Sequence, residues 1–411
     1  MNLINEASRC LMCEKRPCLI GCPLDNDIPK FISYVKDNDL SGAYNSLLDT
    51  TILSSVCGRI CPKAKQCIGT CMLKEDPIDI GSLEVLVGDY AIDNNLEIKI
   101  PENTKHNVAV IGGGPSGLTC AYFLRRNGIK VTVYEKYNHL GGILYHGIPE
   151  FRLPKDILSK TIDRITNLDI NFIYNSELGK NITLKELIDK YDAVYISIGA
   201  NKSNRSNVTG SDLVGVYGGN ELLELNLSVD FKDKDVVVVG CGDVSMDVAR
   251  TIKRRGGNVT VIYRKDEEHK SASKEEYEEA IEDGVKFLFN TNLIKIIGNS
   301  HVEKVELIKT NVTNTENKVV ATNIDGSNYY MDCDYVIETI GSHPDDIVND
   351  LGLELNDKGY IKVENTKTSN DKVFAGGDIA GTKQTVAWAS RTGRNAAYEI
   401  LNYLDNKNNV E

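Results

Sequence analysis

Two stretches of this 411-residue chain follow one plan. NVAVIGGGPSGLTCAYFLRRNGIKVTVYEK (107–136) and KDVVVVGCGDVSMDVARTIKRRGGNVTVIYRK (234–265) each run from an apolar strand through a glycine turn into a helix and a second strand. Their first glycines, Gly112 and Gly240, lie 128 residues apart (240 − 112). Such a unit makes two neighbouring parallel strands joined by a crossover helix. The chain is therefore expected to be α/β, with two Rossmann-like dinucleotide-binding domains. No other internal repeat is evident, and the length leaves room for a further domain.

The first turn, Gly112-Gly113-Gly114-Pro115-Ser116-Gly117, reads G-x-G-x-x-G. Its first glycine permits a tight turn, the second lets a pyrophosphate approach the backbone, and the third lets helix lie on strand. The helix N-terminus then faces the phosphate charge. Glu135, 23 residues past Gly112 at the end of the next strand, can accept ribose hydroxyls. In the second turn, Gly240-Cys241-Gly242-Asp243-Val244-Ser245, a serine stands where the third glycine would be. Its second strand ends in Arg264 and Lys265 instead of an acid, which suits a 2′-phosphate and favours NADP(H) over NAD(H). The pair suggests FAD in the first domain and NADPH in the second, with hydride passing between nicotinamide and flavin. The plainer alternatives are a ligand-free glycine turn and a solvated basic tip.

Eight of the eleven cysteines fall before residue 72. The charge is 47 − 59 = −12, which argues against nucleic acid or an anionic membrane as the main partner. MNLINEASRC has no apolar leader and no apolar run is long enough to span a bilayer, so a cytoplasmic, reducing setting is expected. Disulfides are then disfavoured and metal is favoured. The spacing is Cys10-x2-Cys13-x4-Cys18-x3-Cys22, then Pro23, and Cys57-x3-Cys61-x5-Cys67-x3-Cys71. Structural zinc sites repeat C-x2-C pairs. Close runs ending in Cys-Pro look more like 4Fe–4S ligation, and eight thiolates would fill two cubanes. Zinc and buried thiols remain the alternatives. Cys120, Cys241 and Cys333 read as structural, and none forms the C-x-x-C pair of a dithiol reductase.

Between the cysteine runs, DIPKFISYVKDNDLSGAYNSLLDTT reads as two short helices. Asp27 can cap the first, with Ile28, Phe31, Ile32 and Val35 on one face, and Ser41 can cap the second. Residues 93–107 read as a linker. Further strands are expected at AVYISIGA, YVIETIGS and KVFAGGD, with a meander over 318–341 and a frayed tail, DNKNNVE.

With these residues in view, the motifs CLMC…C…GCP, CGRICP…C…C, PIDIGSLE, VIGGGPSGL, GGIL…GIPEFRLPK, YISIGA, VVVGCGDVSMDVART, YRK and VFAGGDIAGTKQTVAWASRTGRNAA span nearly the whole chain. They resemble the family of the glutamate synthase small subunit. That family includes the N-terminal half of dihydropyrimidine dehydrogenase and the large subunit of the electron-bifurcating transhydrogenase. The resemblance implies one cluster on Cys10, Cys13, Cys18 and Cys71. It implies a second on Cys22, Cys61 and Cys67 with Glu84 as a non-cysteine ligand, leaving Cys57 spare. On the residues alone, Cys57 as ligand and Glu84 as a helix-surface residue stays open. The resemblance also implies FAD contacts at Glu135, Lys136, Gly142, Arg152, Gly199, Asp378, Thr385 and Val386. The late FAD motif implies that the NADPH domain is inserted into the FAD domain. The expected division is an all-α cluster domain over 1–100, an FAD domain over 105–225 and 340–411, and an NADPH domain over 226–339. The sequence departs from the family at Lys270-Ser271-Ala272, where relatives read Met-Pro-Ala, and in having only nine residues before Cys10.

The activity so implied is hydride transfer from NADPH to FAD, then single electrons through two 4Fe–4S clusters to a partner subunit or a ferredoxin-like acceptor. No side chain need act as nucleophile. The two dinucleotide domains and the cluster unit use up the chain, so the terminal acceptor site is expected on another one. A subunit of a bifurcating NADPH:ferredoxin transhydrogenase is the alternative, and a non-catalytic redox sensor or scaffold is the alternative of another class. The six histidines show no metal or triad spacing; only His146, in GGILYHGIP, lies in a segment that the resemblance turns toward flavin. KEEYEEAIEDG reads as a solvated helix face. Lys63, Lys65 and Lys74 read as solubility lysines or a basic patch for an acidic partner.

Overall fold

The structure is a computed structural model that describes residues 3–103, 105–224, 229–315 and 318–408. It divides into two compact units. One comprises Met1–Tyr145, Glu150–Ala200 and Pro344–Glu411, the other His146–Pro149 and Asn201–His343.

In the first unit, five parallel strands lie in the order Val373–Ala375, Ala193–Ile196, Asn107–Ile111, Lys130–Tyr134, Asn171–Ile173. Val108–Ile111 is flanked on both sides and is buried throughout, as a continuous apolar run in a parallel sheet must be. The last strand in sequence comes from beyond the second unit, so that unit is an insertion in the chain. Helix Pro115–Arg126 follows the first glycine turn, and all but its last residue are buried. The C-terminal helix Val386–Asn408 lies across it. A Cβ on Gly393 would come within 2.1 Å of the Ser116 carbonyl oxygen, so only glycine permits that approach. The tail is helical as far as Asn408, and its last three residues lie outside the described ones.

The cysteine-bearing helices belong to this same unit. Asp27 caps Ile28–Lys36 by accepting from the Lys30 N–H, and Ile28, Phe31, Ile32 and Val35 are all buried. The next helix, Leu40–Leu48, is capped by Asp39, which accepts from Gly42 N–H at 2.8 Å; Ser41 lies inside it. The carboxylate two residues upstream takes the capping place expected of Ser41. The expected break near residue 100 does not separate a free-standing domain. Arg126 donates to Leu48 O (2.7 Å) and Tyr122 Oη to the same oxygen (3.1 Å). Arg164 donates to Ala91 O (3.0 Å) and to Leu96 O (2.5 Å). Residues 93–107 do run as a connector, from the end of helix Ile80–Asp93 to the first strand, with Thr104 outside the described residues.

The second unit carries a parallel sheet in the order Val216–Gly218, Tyr335–Glu338, Asp235–Val239, Asn258–Ile262, Lys286–Leu288. The expected boundary at 225/226 moves to 200/201. Val216–Gly218 pairs with Tyr335–Glu338, and Lys202–Ser203 pairs with Ser342–His343, so the chain has already entered this unit. The antiparallel part also starts earlier than the expected meander. Thr291–Ile297 pairs with the long strand Lys304–Asn314, whose two halves take Tyr329–Asp332 and Val319–Asn323. The acidic helix Lys274–Glu282 is not merely solvated. Arg250, almost fully buried, reaches Glu276 (3.1 Å), Glu279 and Asp283 (2.8 Å). Among the described residues no helix is long and apolar enough to cross a membrane.

Gly393→Ala is expected to cost about 1–3 kcal/mol, the usual penalty of overpacking. It would be read as a lowered denaturant midpoint with unchanged slope.

Candidate functional site

The eight N-terminal cysteines sort into two groups. Cys10, Cys13, Cys18 and Cys71 line one cavity, walled by Ile28, Ile32, Ile78 and Ile80. They come from both runs. The runs meet because Gly21 lies against Thr70 and Gln66, where a Cβ would fall 2.4 Å from Thr70 Oγ1. Burial pushes the Cys10 thiol up and the Cys18 thiol to about 11.

The second group is Cys22, Cys57, Cys61 and Cys67 together with Glu84. Helix Ser54–Ile60 crosses the first turns of Ile80–Asp93 at Gly58, where an added Cβ would lie 2.7 Å from Gly81 O. That crossing sets Cys57 and Cys61 against Glu84. Cys57 is 1% exposed and Glu84 is 7% exposed. Burial pushes Glu84 up to about 8, opposed by the nearby Lys63 charge and by Asn26, whose Nδ2 donates to Glu84 Oε1 (3.2 Å). Burial also raises Cys22, to about 12, and Cys67, each further raised by Glu84 and by its neighbours. Cys57 is pushed well up by its hydrogen bond with Cys61 and by burial. Lys63 thus faces inward, donating to Gly58 O at 2.9 Å, while Lys65 and Lys74 are exposed.

Five donors therefore surround the second site, and both Cys57 and Glu84 are among them. Glu84 is buried, unlike the surface residue of the open alternative. Among the described residues no three donors converge tightly as for a single ion. A cubane needs no such convergence, since its irons hold the thiolates apart. An apolar pocket ringed by four thiols fits such a group.

At the first glycine turn, Gly112 has φ 102° and a Cβ on Gly117 would sit 1.9 Å from Gly112 O. Glu135 lies at the turn: Gly113 N–H donates to its Oε2 (2.7 Å) and Tyr137 N–H to its Oε1 (2.9 Å). Gly142, with φ 51°, lies against Gly114, and Gly141 N–H donates to Gly113 O. Gly199 follows the Ala193–Ile196 strand with φ 77°. Asp378 sits in the turn after the Val373–Ala375 strand. Its Oδ1 is buried and finds no protein partner, and burial pushes its carboxyl up to about 7. A buried carboxylate oxygen without a protein donor, at the carboxyl end of this sheet, fits a hydroxyl-bearing ligand. Thr385 precedes the C-terminal helix and Val386 begins it. Lys136 is exposed, its Nζ 4.5 Å from the Tyr137 ring centre, and Arg152 is partly exposed ahead of helix Lys155–Thr166. His146 ends the short helix Ile143–His146 and falls in the second unit.

At the second turn, Gly240 has φ 126°. Ser245, in the third-glycine position, accepts from Gly242 N–H (3.0 Å) and bonds Thr339 Oγ1 (2.7 Å). Its hydroxyl replaces bare close packing by a bridge. Asp243 accepts from Ser273 N–H (2.7 Å), and the Ser271 and Ala272 N–H groups donate to Cys241 O. The departure at Lys270-Ser271-Ala272 is thus held against the turn. Val244 is 42% exposed at the start of helix Asp243–Arg254. Arg264 is exposed and Lys265 half-buried, while their carbonyls are held by Thr310 Oγ1 (2.7 Å) and Asn290 N–H (2.9 Å). Cys120, Cys241 and Cys333 are buried and separate, and every cysteine is free.

The region 106–393 matches the pyridine nucleotide-disulphide oxidoreductase family, and 1–96 matches the description "dihydropyrimidine dehydrogenase domain II, 4Fe-4S cluster". The chain belongs to the pyridine nucleotide-disulphide oxidoreductase family, in a form preceded by a 4Fe–4S domain, and is an oxidoreductase whose class uses FAD, a nicotinamide dinucleotide and 4Fe–4S clusters. Its near relatives are more particular. It is 34% identical to the glutamate synthase (NADPH) small chain of Escherichia coli, over 97% of this chain and 91% of that one. It is 33% identical to the corresponding small chain of Halomonas elongata, over 97% and 90%. It is also 33% identical to the NAD-dependent dihydropyrimidine dehydrogenase subunit PreT of E. coli, over 98% and 94%. The fold resembles Mycobacterium tuberculosis FprA in complex with NADPH (TM-score 0.65, 18% identity, 74% of this chain and 86% of that one). Lactococcus lactis thioredoxin reductase shares it at TM-score 0.57 and 19% identity, over 74% and 100%.

Asp378 generates a pH prediction. Its folded-state pKa is raised, so between the unfolded value near 3.8 and about 7 the folded state holds more protons. Flavin-free protein should lose stability across that window as pH rises, by on the order of a few kcal/mol. Asp378→Asn should flatten this slope in urea midpoints taken at pH 5 and 7.5.

Proposed function

We propose that this chain passes electrons from NADPH to a partner protein. Bound flavin accepts hydride from the nicotinamide and releases electrons singly, which iron–sulfur groups can carry. The observation that carries the reading is the sorting of the N-terminal cysteines into two groups within the unit that holds the first glycine turn.

In this reading, Gly112, Gly114, Pro115, Ser116 and Gly117 cradle the FAD pyrophosphate. Glu135, Lys136, Gly142, Arg152, Gly199, Asp378, Thr385 and Val386 hold the rest of it. Gly240, Gly242, Asp243 and Val244 receive the NADPH pyrophosphate, and Arg264 and Lys265 its 2′-phosphate. Cys10, Cys13, Cys18 and Cys71 bind one cluster. Cys22, Cys61, Cys67 and Glu84 bind the other, with Cys57 a buried spare. Leu11, Met12, Ile20 and Met72 are exposed beside the first group; Ile20 is 77% exposed. An apolar collar there suits docking of the electron acceptor. The likeness to glutamate synthase small chains favours a subunit of a larger enzyme as that acceptor, and the setting is cytoplasmic.

Anaerobic reconstitution tests the reading. The wild-type chain should hold flavin and iron for two clusters, and NADPH should bleach both. Glu84→Ala should lose roughly half of the iron, because a site short of a ligand does not fill, whereas Cys57→Ser should keep all of it. The reverse pattern would make Cys57 the ligand. Wild-type protein with neither flavin nor iron would end the proposal.

Arg264→Glu should raise the KM for NADPH roughly tenfold to hundredfold, the worth of a charge-assisted phosphate contact. The KM for NADH should stay nearly constant. Equal losses with both nucleotides would place the 2′-phosphate elsewhere.

A further inference from the structure

One turn of the C-terminal helix, Arg391-Thr392-Gly393-Arg394, touches three parts of the first unit at once. On one side Thr392 Oγ1 accepts from Gly377 N–H at 2.7 Å, beside Asp378, and lies 3.4 Å from Ser116 Oγ in the first glycine turn. Gly393 lets the helix come down on the Ser116 carbonyl. On the other side, Arg391 Nη1 donates to Pro23 O (2.9 Å) and reaches Asp25 Oδ1 (3.3 Å). Arg394 donates to Leu24 O (2.6 Å), Thr50 O (3.2 Å) and Asp25 Oδ2 (3.1 Å). Pro23, Leu24 and Asp25 directly follow Cys22, and Asp25 N–H donates back to Cys22 O at 3.0 Å.

The connection runs on to the other donors of that group. Thr50 Oγ1 donates to Asn26 Oδ1, and Asn26 Nδ2 donates to Glu84 Oε1. Arg394 is only 7% exposed. A guanidinium stays charged even when buried, so the turn places a permanent cation against Leu24 and Asp25, in the segment that directly follows Cys22. Among the described residues Asp25 is its only carboxylate partner, and it is shared with Arg391.

We propose that Arg394, with Arg391, is a positioning residue for electron transfer: it fixes the second cysteine group against the flavin-binding turns and raises the reduction potential of the cluster held there. This rests on the function proposed above. The glycine turn and the Asp378 turn are gripped by Thr392 and Gly393, and the Cys22 segment by the flanking arginines. Neither site can shift without the other while the helix turn is intact. The cation also favours the cluster state with one more electron. With both groups bound, one electron would pass from reduced flavin to the cluster and one flavin proton to water.

The test uses reconstituted holoprotein with wild-type flavin and iron content. In Arg394→Gln, anaerobic single-turnover reduction of flavin by NADPH should proceed as in the wild type. The following reduction of iron–sulfur should slow roughly tenfold, as a small misplacement of reacting groups does. A potentiometric titration followed by electron paramagnetic resonance should show the second cluster at lower potential. A tenfold shift in the flavin-to-cluster equilibrium corresponds to about 59 mV for one electron. Arg394→Lys, which keeps the charge but not the fork, should restore the potential more than the rate. Asp25→Asn should move the potential the opposite way, because it removes the neutralising carboxylate. Arg391→Gln, at a third-exposed site, should lower the potential if Arg394→Gln does not fold. Unchanged potentials in these variants, or equal slowing of flavin and cluster reduction, would overturn the proposal. Absence of flavin or iron in the wild type would instead overturn the functional reading beneath it.

Discussion

A buried thiol resists ionisation, yet only the thiolate binds iron. The N-terminal quarter of this protein is built around that conflict. Cys18 and Cys22 are pushed to about 11 and 12, and Glu84 to about 8, chiefly by burial. Without a cation these groups stay protonated, and the pockets are lined with neutral sulfur and apolar side chains. Iron would supply the compensating charge, at which point the same burial strengthens every Fe–S contact. Ligand loading and folding of this region are then one equilibrium. The short helices here, of five to nine residues, are too short to be stable alone.

What keeps those short helices in register is backbone proximity, enforced by glycine. Gly21 against Thr70, Gly58 against Gly81, Gly117 against Gly112 and Gly393 against Ser116 are all places where a methyl group would collide with backbone or a short side chain. The first brings the two cysteine runs together, the second sets the Cys57 helix against that of Glu84, the third seats helix Pro115–Arg126 on the first glycine turn, and the last seats the C-terminal helix on that helix. Ser245 shows the alternative solution. Where the third glycine is absent, a hydroxyl bonded to Gly242 and Thr339 holds turn, helix and strand end together.

Local pattern made the two strand–turn–helix units legible, because a continuous apolar run followed by glycines has few other foldings. It also gave Asp27 as a cap and the buried face behind it. It misplaced the second cap, since Asp39 and Ser41 are both good capping residues two positions apart and only the folded backbone decides which meets Gly42 N–H. It misplaced the start of the second unit, because Lys202–Ser203 and Val216–Gly218 are too short to leave a periodic signature and are strands only by virtue of distant partners. Spacing alone could not divide the cysteines four and four. Cys71 joins Cys10 through the Gly21–Thr70 approach, a contact between residues about fifty apart. Arg391 and Arg394 were overlooked as site residues. The signal was present: two arginines three apart share one helix face, on either side of a Thr-Gly pair that lies against the glycine turn.

The two dinucleotide-type sites solve one problem in opposite ways. At each, the protein satisfies its own backbone first: Glu135 takes the Gly113 and Tyr137 N–H groups, while Thr310 and Asn290 take the Arg264 and Lys265 carbonyls. What then differs is the charge offered outward. A carboxylate has about four acceptor positions, so Glu135 can hold the turn and still receive hydroxyls, and Asp378 adds a buried oxygen that has no protein donor. The strand after the second turn leads to an exposed guanidinium, that of Arg264, on a backbone held from behind, which can only donate. One site therefore offers acceptors, as a polyol would need, and the other offers a donor, as an anion would need. In the function proposed, that asymmetry would let one chain hold two nucleotides of similar shape without exchanging them.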